Sequence, residues 1–150
     1  MSLKKFVIIL LFISSVFLFS NCSAKPQAAI TIEGQWGRPS PKMAMAGVFY
    51  MTIHNNGSSS DKLTGVQSAA CGSAELHESV MDANNVMGMQ PVQGGFIEIP
   101  AGKSVELKAG GLHIMCIDKK QEFITGAKIP VVLKFEKFGD LAIEVDIREQ

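Results

Sequence analysis

From about residue 30 onward the chain alternates apolar and polar side chains over short runs, and turn residues separate these runs. Successive side chains of a strand point to opposite faces, so this alternation predicts strands with one buried face. No stretch after residue 25 keeps apolar residues at helical spacing for three turns. The pattern therefore predicts an all-β fold of about nine short strands, arranged as a two-sheet Greek-key sandwich.

The run Gly110–Asp118 is the most informative of the predicted strands. His113 and Met115 are two residues apart, so they project from the same face of a regular strand. Cys116 then points to the opposite face, into the core. The pattern predicts an imidazole and a thioether side by side on one surface, which suits a shared metal ion.

A second group of potential donors lies upstream, in a segment that is rich in Asp and Asn. It consists of His77, in a strand predicted over residues 74–80, and of Met81, Met87 and Met89. Methionine most often fills gaps in a protein core, but such a polar segment is a poor place for core filler. The two groups together favour a metal site, whereas His54, next to a turn, is expected to be solvated.

Two imidazoles and two thioethers form a ligand shell without a negative charge. Thioether sulfur is soft and polarizable, so this shell suits Cu(I) better than calcium or magnesium, which prefer oxygen ligands. Zinc would prefer thiolate, imidazole or carboxylate. A protonated imidazole cannot bind a metal, so binding is expected to weaken in acid.

The N-terminal segment has the composition of a secretory signal peptide. Lys4 and Lys5 precede an apolar run over residues 6–19, and small residues follow it. We expect residues 1–24 to be removed on export. In the alternative that we favour, the segment is a lipoprotein signal and Cys22 becomes the lipidated first residue.

The mature chain is then expected to comprise a short tether over residues 25–29 and one domain over residues 30–150. Without the two N-terminal lysines, twelve basic residues face fourteen acidic ones, which gives a net charge of about −2. No basic stripe marks a nucleic-acid surface. The expected location is the periplasm, either free or anchored by lipid.

Two cysteines lie within the predicted domain, Cys71 and Cys116. In an oxidising exported compartment they could form a disulfide. Their spacing in the sequence cannot show whether the two backbones approach closely enough. A disulfide and two buried thiols therefore both remain open at this point.

Several longer motifs extend over most of the mature chain. They are Met51-Thr-Ile-His-Asn-Asn-Gly57, Glu75-Leu-His-Glu78, Val86-Met-Gly-Met-Gln-Pro-Val92, Ile99-Pro-Ala-Gly102, Val105-Glu-Leu-Lys108 and Gly110-Gly-Leu-His-Ile-Met115. With them, the run from Trp36 to Phe138 resembles the exported bacterial copper chaperones of the PCuAC type. That family has a cupredoxin-like sandwich and a signature of His, a methionine about ten residues later, and His-x-Met.

The resemblance implies a carrier that binds Cu(I) and passes it to an acceptor, typically the copper centre of a terminal oxidase. The implied ligands are His77, Met89, His113 and Met115. Eleven residues separate His77 from Met89, one more than the usual spacing, so Met87 remains a rival ligand. The Met- and His-rich C-terminal tail frequent in the family is absent, which leaves Met43, Met45 and Met81 as auxiliary donors only.

Two other functions compete with a copper chaperone. A blue-copper electron carrier needs a cysteine thiolate in the metal shell and usually a histidine downstream of it, but Cys116 is predicted to face the core and no histidine follows it. A metal-free exported binding module would use its methionines as a partner surface. No nucleophile–base pair or paired carboxylates stand out, so we expect no enzyme, and Glu75 and Glu78 are interpreted as solvated strand residues.

Overall fold

The computed structural model describes residues 29–150, so the predicted signal peptide, Cys22 and most of the tether lie outside the described residues. Within this range the chain forms ten strands, and a short 3-10 turn spans Gln93–Gly95. The strands are β1 (Ile30–Gly37), β2 (Ala46–Asn55), β3 (Asp61–Gln67), β4 (Cys71–Met81), β5 (Met87–Pro91), β6 (Ile97–Ile99), β7 (Ser104–Leu107), β8 (Leu112–Lys119), β9 (Lys128–Phe135) and β10 (Gly139–Ile147). The predicted all-β fold is confirmed, with ten strands instead of about nine.

Hydrogen bonds connect the strands in the order β5-β4-β8-β2-β1-β10-β9-β3-β6. Strand β8 pairs with the first half of β2, and β7 pairs with the second half of the same strand. The first strand of the described range meets the last in a parallel pairing. Buried side chains from both halves of this path, among them Phe49, Ile114 and Leu133, form one core. The sheet thus folds over its own apolar face, as predicted for a sandwich.

Strand β8 alternates as its sequence predicts. Ile114 and Cys116 are fully buried in the core, whereas Met115 on the other face is partly exposed. We call this second face of β5, β4, β8 and β2 the outer face, because it points away from the core. His113 lies on the outer face but is only 2% exposed, and the ring of Tyr50 from β2 lies 6.5 Å from its ring, centroid to centroid.

Cys71 at the start of β4 and Cys116 in β8 form a disulfide, with their Cα atoms 5.4 Å apart. Of the two alternatives that the sequence left open, the structure contains the bridge. It ties β4 to β8, the two strands that carry His77 and His113. The sulfur of Cys116 therefore lies on the core side of β8, bonded to Cys71.

No helix within residues 29–150 has both the length and the apolar character that crossing a bilayer requires.

Candidate metal site

His77 and His113 are direct neighbours on two antiparallel strands. Strands β4 and β8 pair in a register that places the two residues opposite each other, and side chains of such a pair share one face. Their ring centroids are 6.0 Å apart. Residues that are 36 positions apart in the sequence are thus brought together on the outer face.

Each imidazole is held by one hydrogen bond, and this bond leaves the other ring nitrogen without a partner. His113 donates from Nδ1 to the carbonyl oxygen of Gly111 at 2.9 Å, and His77 donates from Nε2 to the carboxylate of Glu75 at 3.1 Å. In a neutral ring, the remaining nitrogen then carries a free lone pair. These nitrogens, His77 Nδ1 and His113 Nε2, are buried and accept no hydrogen bond.

An unpartnered buried polar atom costs free energy, so two of them on neighbouring rings need a physical reason. A metal ion that accepts both lone pairs supplies one, and it would use the hydrogen bonds to Glu75 and Gly111 as the second shell that metal-bound histidines usually have. Among residues 29–150, no group of three or more His, Cys, Asp and Glu side chains could hold a metal ion. The Glu75 carboxylate on this face is engaged by His77, and the rows next to the histidine pair carry the thioethers of Met115 and Met89.

On the outer face, residues that are opposite each other on paired strands form a row, and neighbouring rows are two residues apart along each strand. The methionines lie in the rows on either side of the histidine pair. Met115 is opposite Glu75, one row from the pair in one direction, and Met89 is opposite Ser79, one row away in the other direction. Both are diagonal neighbours of His77, at about 7–8 Å between backbones. Met87 lies one row farther, roughly 13 Å along β5 from the residue opposite His77.

A family model described as LpqE-like matches residues 30–147. The chain belongs to the LpqE-like family. One relative of this LpqE-like chain is "Putative lipoprotein Lxx21020" of Leifsonia xyli subsp. xyli, 35% identical over 97 residues, which are 65% of this chain and 57% of the relative. Another is the uncharacterized protein RP573 of Rickettsia prowazekii, 26% identical over 81% of this chain and 67% of that protein. The match thus spans less than two thirds of the Leifsonia protein.

Solved structures add copper-binding domains to these similarities. The copper-bound PCuAC domain from PmoF2 is 26% identical to this LpqE-like chain, with a TM-score of 0.66 over 81% of this chain and 93% of that domain. The apo PCuAC domain from PmoF1 gives the same identity and TM-score over 81% and 94%. The Cu(I) form of DR1885 from Deinococcus radiodurans, 22% identical, shares the fold with a TM-score of 0.60 over 87% and 84%. The predicted PCuAC-type resemblance and cupredoxin-like sandwich are confirmed.

In this LpqE-like chain, Glu75 has a role beyond that of the solvated strand residue predicted from the sequence. We interpreted Glu75 and Glu78 alike, as solvated strand residues, but the Glu75 carboxylate binds His77. Glu78 points to the opposite face and accepts a hydrogen bond from Gln90. The signal was present in the sequence, because Glu75 and His77 are two residues apart in a predicted strand and so share a face.

The third histidine of the LpqE-like chain is separate from the pair. The Nδ1 atom of His54 lies 2.6 Å from the hydroxyl of Ser104, and its Nε2 atom lies 3.3 Å from the Glu33 carboxylate. Its side chain is 27% exposed, so His54 is partly solvated, as expected, and also contacts these two polar side chains. His54 lies four positions beyond Tyr50 along β2, roughly 13 Å away, so it provides a matched control for the histidine pair.

Proposed function

We propose that the chain binds one Cu(I) ion through His77, Met89, His113 and Met115 and carries it to a copper-accepting protein. The proposal depends on two buried ring nitrogens that lie on neighbouring strands. The hydrogen bond that orients each ring leaves the other ring nitrogen with a free lone pair. The copper-bound PCuAC domain from PmoF2, with the same fold, supports the choice of metal.

The donor chemistry favours Cu(I) over the other metals. Two neutral imidazoles and two thioethers leave the charge of the ion uncompensated, which a monovalent ion tolerates best, and thioethers select soft ions. The Cys71–Cys116 disulfide removes both of these sulfurs as thiolate ligands. A blue-copper centre needs such a thiolate, so this disulfide argues against an electron carrier of that type.

Among the methionines, the register favours Met89 over Met87 as the ligand from β5. Met89 is one row from the histidine pair, whereas Met87 is opposite Met81, two rows away. The extra residue between His77 and Met89 then belongs to the turn between β4 and β5. Met89 and Met115 must both lean over the histidine row to share one ion, which long unbranched side chains can do.

Carriage requires that the ion can leave. Met89 is 58% exposed, so an acceptor's ligand can replace its thioether first, while the buried imidazoles retain the ion. We further propose that the acceptor is a protein outside the cytoplasmic membrane, such as the copper centre of a terminal oxidase. The lipoprotein name of the Leifsonia relative supports export and a lipid anchor at Cys22.

The test is anaerobic Cu(I) titration against a coloured Cu(I) chelator, combined with X-ray absorption of the loaded protein. Wild type is expected to show nitrogen and sulfur donors in equal number at the tightest site. His113→Ala should lower the affinity by more than the ~10–100-fold that second-shell changes cost, and His54→Ala should not change it. Equal affinities of wild type and His113→Ala would instead indicate a metal-free binding module.

A further inference from the structure

Three methionines share one face of the β4–β5 hairpin, and two of them, Met81 and Met87, lie outside the proposed copper site. Met81 and Met87 are directly opposite each other, so their Cβ atoms are about 4.5–5.5 Å apart and their side chains point the same way. Met89 is two residues from Met87 and lies diagonally across from Met81. Two thioethers at this separation can reach a single ion between them.

These side chains are not core filler. Met81 is 60% exposed, and Met87 and Met89 are each 58% exposed. Strand β5 lies at the edge of the sheet and its five residues are all exposed. Exposed apolar side chains on an edge strand are a liability that proteins usually reduce with charged residues, so three thioethers on one face of this edge need a reason other than packing.

The turn of the hairpin fixes this arrangement. Asp82 accepts hydrogen bonds at 2.8 Å from the backbone N–H groups of Val86 and Asn84, and these bonds hold the pKa of its carboxyl below the usual range. Asn85 has a φ of 62°, a conformation that Asn tolerates better than most residues. The turn thereby sets the register that places Met81 opposite Met87.

The carboxylates and the amide of Glu78, Asp82 and Gln90 in the hairpin have other partners. Glu78 and Gln90 form the neighbouring cross-strand pair, which lies on the opposite face, and they hydrogen-bond each other at 3.1 Å. The Asp82 carboxylate is engaged with the turn backbone. The methionine face of the hairpin therefore offers thioether sulfur and the Ser79 hydroxyl, a donor set that suits a soft monovalent ion and not a hard cation.

We propose that Met81 and Met87 form a second, weaker site for Cu(I), with Met89 between this site and the histidine pair. The site has no nitrogen donor and is exposed to solvent, so it exchanges ions with the solution easily and holds them less tightly than the histidine pair. An ion held there is one row from Met89, and Met89 is one row from His77. The hairpin thus provides a path of thioethers along which copper reaches the buried imidazoles.

The experiment uses the mature protein with ¹³C-labelled methionine methyl groups, titrated anaerobically with Cu(I). Wild type is expected to take up two ions, and the methyl signals of Met81 and Met87 should shift in the second, weaker step. Met81→Leu/Met87→Leu should bind one ion, still at the histidine pair, because leucine keeps the side-chain volume but removes the sulfur. Met43→Leu/Met45→Leu, a pair of exposed loop methionines, is the matched control and should still bind two.

This second site does not depend on the histidine site. In His77→Ala/His113→Ala, the methyl shifts at Met81 and Met87 should persist. The second site can therefore be tested even if the proposed histidine site does not bind Cu(I). A stoichiometry of one in wild type would overturn the inference. It would also be overturned if the second ion survived in Met81→Leu/Met87→Leu, or if it were lost in the loop control.

Discussion

The histidine pair and the methionine hairpin offer donors of opposite physical character. His77 and His113 are at most 8% exposed, and each ring is held by a hydrogen bond on strands that a disulfide joins. Met81, Met87 and Met89 are about 60% exposed. Met87 and Met89 belong to the edge strand β5, and Met81 is at the end of its only neighbour, β4. The nitrogen donors are fixed during folding, whereas the thioethers can change their positions without disturbing the core.

This difference suits a protein that must both hold and release an ion. In the proposed function, oriented imidazoles reduce the entropy that binding must overcome, so they provide affinity. Exposed thioethers are replaced one at a time by an incoming ligand, so they provide exchange. The comparison predicts that changes around the histidines affect stability and affinity strongly, while changes on the hairpin affect which ion binds and how fast.

The largest effect is expected from the disulfide beneath the histidine pair. Cys71→Ala/Cys116→Ala removes a bridge between residues 45 positions apart, which should lower the free energy of unfolding by about 2–5 kcal/mol. Denaturant unfolding followed by circular dichroism measures this change. A reducing agent should lower the stability of wild type by a similar amount and leave that of the variant unchanged; if wild type does not respond, the two strands are not bridged in solution.

A smaller effect is expected from the carboxylate that orients His77. Glu75→Gln should weaken Cu(I) binding by about 10–100-fold, because a neutral amide holds the ring less firmly and can favour the wrong tautomer. Glu78→Gln is the matched control, since Glu78 is on the opposite face. Competition with a Cu(I) chelator distinguishes the two variants, and equal affinities for both would mean that Glu75 is only a surface residue.

The choice between Met89 and Met87 should produce a still smaller effect. Met89→Leu is expected to weaken the tightest site by about tenfold, or about 1.4 kcal/mol, because three donors remain. X-ray absorption of this variant at one ion per chain should show one sulfur fewer than wild type. If Met87→Leu loses that sulfur instead, the hairpin register in the copper-loaded protein differs by one row from the register described above.

Local pattern predicted the strands well because burial repeats every two residues. The alternation around Ile114 and Cys116 correctly predicted which face of β8 is in the core. The disulfide could not be predicted in this way, since it depends on a 5.4 Å approach between two strands. Alternation fixes where a side chain points but does not identify the neighbouring strand.

The same distinction between local alternation and long-range strand pairing applies to the candidate site. His113 and Met115 share a face through a local rule, and that much followed from the sequence. The register that sets His77 opposite His113 is a long-range property. The donor types and the family resemblance both suggested that the two residues meet, but neither predicted this register. Glu75 was within reach of the local rule and was overlooked, because a carboxylate in a strand is usually solvated.

The smallest effect is expected from the hairpin methionines on stability. Met81→Leu/Met87→Leu should change the free energy of unfolding by no more than about 0.5 kcal/mol, the range typical of surface substitutions, since both side chains are about 60% exposed. Denaturant unfolding of the metal-free protein measures it under the conditions used for the disulfide variant. A loss above about 1 kcal/mol would show that these side chains pack against the protein, and packing would then explain their presence without a second ion. A negligible loss together with the missing second ion would show that the hairpin methionines serve binding and not folding.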